Sequence, residues 1–221
     1  MNTIDKNYLA LQFQVKLYQK YAAEFQSFFE GIMQDAYPDF QKIRPYGEEG
    51  DGGNDGYRPN AGIYYQSYAP KDSSEKEAEA AKKFKNDFYR LKDNWDKITE
   101  IKQYNFVFND KGFGISIELE RVAGDLKKEN PSIDFEVFTS KHLEQIFFSL
   151  STDKMLSLGF DVDSRNALKN AHALLSELET ELDRDNTELV LKTLENIKDI
   201  ILEQHDENLI LDYEIIESSV V

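Results

Sequence analysis

The chain has 221 residues and no cysteine, which excludes disulfides, thiolate metal sites and cysteine nucleophiles. Hydrophobic residues make up 40% and aromatics 13%, which supports a substantial core and excludes a disordered chain. The net charge is −16, and from Leu156 onward 16 acidic residues face only 5 basic ones, so contact with polyphosphate requires a metal or a basic partner to compensate.

No run approaches the ~18 apolar residues of a membrane span, and residues 1–6 lack the basic and apolar regions of a signal peptide. A cytoplasmic protein without membrane contact is expected. Helical periodicity over residues 8–35 puts Phe25, Phe28, Phe29, Ile32 and Met33 on one buried face, and Pro38 ends the pattern. Residues 40–44 alternate and predict a short strand, stopped by Pro45. The ten residues 47–56 then hold five glycines, a density that neither a helix nor a regular strand tolerates. Tyr57 and Arg58 predict a strand leaving this loop, 59–62 a turn, and 63–68 a strand rich in tyrosine.

Ser73 or Ser74 caps a predicted helix reaching about residue 98, with Glu77 at capping-box distance from Ser74. Phe84, Phe88, Leu91 and Trp95 mark its buried stripe. Lys82, Lys83, Lys85, Arg90 and Lys92, interleaved with Asp87 and Asp93, read as a solvated charged face. A strand over 104–109, a helix over 115–129, a strand over 133–138 and a helix over 140–150 follow. Short turns make the early strands antiparallel, and helical crossovers make the later ones parallel. The expected class is therefore α/β, a mixed sheet with helices on both faces, over residues 1–150. Residues 151–221 are expected to be an acidic helical region. There Leu168, Ala171, Leu175, Leu178 and Leu182, then Val190, Leu194, Ile197 and Ile201, predict an αα-hairpin that docks on the main domain, a second copy or another protein. His142, His172 and His205 are far apart and read as structural.

The chemistry concentrates in residues 50–68. An acidic residue stands in the glycine-rich bend at the edge of a strand, and about ten residues later Gln66 and Tyr68 share one face of the next strand. Asn54-Asp55-Gly56 alone is ordinary turn chemistry; its pairing with Gln66 is what raises it above that. Such a hairpin brings a carboxylate and an amide oxygen to one sheet edge. Mg²⁺ takes hard oxygen ligands and retains waters, so this pair suits a hydrolytic metal site.

Gly50-Asp51-Gly52-Gly53-Asn54-Asp55-Gly56 followed by Gln66-x-Tyr68 resembles the Mrr-like branch of the PD-(D/E)xK nuclease superfamily. Residues 25–70 are also similar to the nuclease-like component of bacterial ABC-three-component anti-phage defence systems, and the likeness extends over about residues 20–138. The resemblance implies a restriction-endonuclease-like fold with a C-terminal helical extension. It implies a DNA endonuclease using Mg²⁺ or Mn²⁺, with Asp55 and Gln66 as metal-site residues. Tyr68 stands where the family places a lysine, and Lys71 is the alternative donor nearby. Glu30, or Gln26, is the implied contribution of the first helix. The implied partners are an SMC/ABC-type ATPase and a middle component, with DNA engaged only within the complex and self-association as a further expectation. Since tyrosine carries no cation at neutral pH, a catalytically degenerate adaptor or sensor subunit is the competing expectation.

Overall fold

The computed structural model describes residues 3–45, 50–71 and 77–162. These fall into two compact units, residues 20–150 and residues 3–19 with 151–162.

In the smaller unit, α1 (Thr3–Gln19) buries Leu9, Leu11 and Phe13 completely. Gln12 holds the backbone of Asp161 in both directions. Its Nε2 donates to the Asp161 carbonyl at 2.8 Å, and its Oε1 accepts from the Asp161 N–H at 2.8 Å. One polar side chain thus satisfies two backbone groups that burial would otherwise strand.

In the larger unit five strands lie side by side in chain order: β1 (Gln41–Lys42), β2 (Gly56–Arg58), β3 (Ile63–Tyr68), β4 (Gln103–Phe108) and β5 (Asp134–Phe138). The first three pair antiparallel and the last three parallel. Short connections allow the former, and the crossover helices α3 (Glu77–Trp95) and α4 (Ile117–Glu129) produce the latter. The protein is α/β, a mixed sheet flanked by helices.

Alternation along β3 sends Tyr64, Gln66 and Tyr68 to one face and Tyr65 to the other. On the first face α3 and α4 cover a core containing Tyr64, Phe84, Phe88, Leu91, Tyr104 and Phe106. Phe84 stacks on Phe106 at 4.8 Å, and truncating such a ring to alanine costs about 3–5 kcal/mol. On the opposite face α2 (Ala22–Ala36) packs Phe29 against Tyr65 and Phe138, beside α5 (Ser140–Phe148). Asn130 and Pro131 stop α4, whose last turn carries Lys127 and Lys128 where they complement its dipole.

The single helix expected over 8–35 is instead two. Tyr21 is extended and Ala22 takes φ +45°. Ala22 N–H donates to the Ala69 carbonyl at 2.8 Å, and Asn109 Nδ2 donates to the Lys20 carbonyl at 3.1 Å. Backbone groups freed by the break are taken by the chain that follows β3 and β4, a tertiary cause that local periodicity does not register. The strand expected over 40–44 is confined to Gln41 and Lys42. The Ser73–Ser74 cap and the αα-hairpin of the acidic region lie outside the described residues. No helix among the described residues is long and apolar enough to cross a membrane.

Candidate functional site

The glycine-rich segment is built to lie against α3. Gly50, Gly52 and Gly53 have φ of +63°, +66° and +80°, a region that side chains with a Cβ disfavour. A Cβ on Gly53 would stand 2.4 Å from the Asp87 carbonyl and 2.8 Å from the Leu91 nitrogen, and one on Gly52 would stand 2.8 Å from Trp95 Nε1. Between them Asp51 Oδ1 accepts from Gly53 N–H at 2.8 Å and pairs with Arg90 at 3.4 Å. Much of the motif's glycine content therefore serves close approach of loop backbone to helix.

That docking delivers Asp55. Its N–H donates to the Tyr65 carbonyl at 2.9 Å and its carbonyl accepts from Ile43 N–H at 2.8 Å. The carboxylate is 5% exposed. Oδ2 accepts from Gln66 Nε2 at 3.0 Å, Ser67 N–H at 2.6 Å and Ser67 Oγ at 2.6 Å. Among the described residues Oδ1 receives no donor. The carboxylate dictates how the Gln66 amide is turned, because only its nitrogen can donate to Oδ2. Gln66 Oε1 is left buried without a hydrogen-bond partner, on a side chain 3% exposed. An unpartnered buried acceptor is disfavoured by about 1–3 kcal/mol, so this geometry calls for a further donor or a cation.

Burial pushes the Asp55 carboxyl up from 3.8 to about 6, against the opposing pull of the Ser67 hydrogen bonds and with a smaller upward push from Asp51. Lys83 draws it back down. Tyr104 Oη, on β4, is also buried without a partner, and burial together with the nearby carboxylates of Asp87, Asp55 and Asp51 raises its phenol. Asn54, next to Asp55, is fully buried with neither amide atom partnered.

Of the other residues singled out from the sequence, the structure brings none into contact with Asp55. Tyr68 lies stacked on Phe106 and Phe108 at 6.0 and 6.2 Å, its hydroxyl 3.5 Å from Glu79 Oε2. Burial and the Glu79 carboxylate raise its phenol, so it is neutral at physiological pH. Glu30 accepts from Gln26 Nε2 at 2.9 Å and pairs with Lys42 at 3.9 Å. Its helix, α2, covers the face opposite Gln66. Lys71 is exposed, and its carbonyl accepts from Lys111 Nζ at 2.8 Å.

Two residues near the site belong to the face of α3 that reads as solvated. Asp87 is 8% exposed, and Lys83 Nζ pairs with it at 2.5 Å. The available signal is their spacing of four, beside the buried stripe of Phe84 and Phe88. Among the described residues no three His, Cys, Asp or Glu side chains gather into a metal-ligating group. The candidate donors are one carboxylate oxygen and one amide oxygen, the hard oxygen type that Mg²⁺ takes. Comparison of the chain with family models, with curated proteins and with solved structures finds no match.

Proposed function

We propose that this chain is a restriction-endonuclease-like subunit of a prokaryotic defence complex, acting on DNA with Mg²⁺ or Mn²⁺ and controlled by its partners. The observation that carries this reading is the pair Asp55 and Gln66. Gln66 Nε2 lies 3.0 Å from Asp55 Oδ2, the other carboxylate oxygen receives no described donor, and Gln66 Oε1 is buried without a hydrogen-bond partner. Asp55 through Oδ1 and Gln66 through Oε1 are the residues that would hold the cation. A bound divalent cation lowers the pKa of a coordinated water and stabilises charge on a scissile phosphate. Ser67 keeps the Asp55 carboxylate oriented by donating twice to its other oxygen. The order of helix, antiparallel meander, helix and parallel strand agrees with the resemblance carried by residues 50–68. A chain of net charge −16 is poorly suited to approach DNA alone, which favours action beside a basic partner such as an SMC/ABC-type ATPase with its middle component, in the cytoplasm.

Titrating the full chain with Mn²⁺ tests the site. Wild type should bind and Asp55→Asn should not; equal binding by both sinks the reading. Plasmid cleavage by the assembled complex in Mg²⁺, lost in Asp55→Asn, tests the activity.

A second reading has its own support. The Tyr68 ring is committed to packing and supplies no cation, and the glycines are accounted for by the fit to α3. A nuclease fold without chemistry, acting as adaptor or sensor in the same kind of assembly, would show Mn²⁺ binding or none, but no cleavage in the complex.

A further inference from the structure

α3 runs back along β3, and two contacts fix the alignment. At one end Trp95 meets Tyr64 edge-on at 5.8 Å. At the other, Glu79 receives the Tyr68 hydroxyl at 3.5 Å. Gln66 stands between those two tyrosines on the same face of β3, one residue from each in the alternation. Midway between Trp95 and Glu79 on the helix stands Asp87, joined at 2.5 Å to Lys83 one turn nearer Glu79. The docked glycine loop confirms the level, since Gly53, two residues before Asp55, abuts the Asp87 carbonyl. Lys82 and Lys85 on either side are exposed, whereas Lys83 is about one-third exposed, with 34% of its side chain open.

From this alignment we propose that Lys83 is the cation of the Asp55 site, its ammonium held by Asp87 and placed to contact a phosphoryl oxygen of a phosphodiester brought to that site. The inference rests on the metal-site reading above. Without Lys83 an anionic substrate would meet the carboxylates of Asp55 and Asp87 and that of Asp51, which acts on both. Arg90, the neighbouring cation, is engaged with Asp51 at 3.4 Å at the glycine-loop end. Lys83 acts on Asp55 and Asp87 together, lowering both against burial. It enters from a helix rather than from the strand, because the ring at position 68 fills its place on the strand with apolar packing.

The test uses the full chain, Mn²⁺, and inorganic phosphate followed by broadening of its ³¹P resonance. Wild type should bind Mn²⁺ and then broaden phosphate. Lys83→Met should bind Mn²⁺ as well or better, because a repelling charge is gone, yet hold phosphate about tenfold to a hundredfold more weakly. Lys83→Arg should recover most of the loss. The double variant Lys83→Met/Asp87→Asn guards against a folding artefact, since it leaves no buried carboxylate unpaired; the phosphate loss should persist in it. Phosphate binding by Lys83→Met equal to wild type, or no Mn²⁺-dependent phosphate binding by wild type, overturns the assignment while leaving the metal site standing. Mn²⁺ binding absent from wild type, or unchanged in Asp55→Asn, overturns the metal site and this inference with it.

Discussion

Replacing Asp55 by asparagine should stabilise the protein at neutral pH. The carboxyl is raised from 3.8 to about 6, chiefly by burial, so the folded state binds the proton more tightly than the unfolded state. The sign follows from linkage. Below 3.8 both states are protonated and ionisation exacts no penalty. As pH rises towards about 6 the unfolded state ionises first and stability is lost, and above that the full penalty stands. Asparagine imitates the protonated carboxyl and keeps an oxygen where Gln66 and Ser67 donate. Its Nδ2 then falls at Oδ1, which receives no described donor and so opposes it with none. Integration between the two pKa values gives a gain for Asp55→Asn of about 3 kcal/mol at pH 7.5 and about 1 kcal/mol at pH 4.5. Urea unfolding at the two pH values, read through the single tryptophan, Trp95, which packs against Tyr57 and Tyr64, measures both. A variant less stable than wild type, by the same amount at both pH values, would refute the reasoning, for it would mean that the ionised carboxylate is a net support of the fold.

The same titration should couple to metal. Apparent Mn²⁺ affinity should fall about tenfold for each pH unit below the Asp55 value of about 6, measured by calorimetry, because the proton and the cation compete for one carboxylate. Gly53→Ala should destabilise by about 3 kcal/mol, from a left-handed φ of +80° together with a Cβ 2.4 Å from the Asp87 carbonyl. Gly114→Ala, at φ +86° with nothing within 4 Å, should cost only about 1 kcal/mol, and thermal unfolding compares the two. Asp110→Ala should cost about 2 kcal/mol in urea unfolding, since it strands the Ser140 N–H at the start of α5 and the Gly114 N–H.

Periodicity and connection length carried the order and direction of the strands. The run from Ile63 to Tyr68 is legible because it alternates and is bracketed by a turn and a proline, and the stripe from Phe84 to Leu91 because it steps by three and four. The break at Tyr21 and Ala22 is invisible to such reasoning, because its cause is a hydrogen bond from residue 22 to residue 69. The candidate site divides in the same way. Asp55 and Gln66 are legible as a hairpin pair, since register follows from the turn between them. Lys83 and Asp87 are not, because charged residues on a helix look solvated until a loop from elsewhere in the chain docks over them. Lys71 and Glu30 are near the motif in sequence or analogy, but Lys71 lies beyond the strand end and Glu30 belongs to the helix on the other face.

Asp110 shows what a buried carboxylate does when its task is to hold the chain together. It is 3% exposed, and both oxygens are used: Oδ1 by the Ser140 N–H and hydroxyl, Oδ2 by the Gly114 N–H at 2.9 Å. Asp55 is buried to a similar degree, but all three of its described donors converge on one oxygen. The other oxygen receives none of them, and the Gln66 amide that donates to the first keeps its own oxygen buried without a partner. A fold selecting only for stability would place a donor there, or an amide in place of the acid, and would gain the free energy that Asp55→Asn is expected to release. An ionisable group whose second oxygen receives no described donor, with a part-buried lysine on the facing helix, is the arrangement that the proposed metal and phosphate site would use.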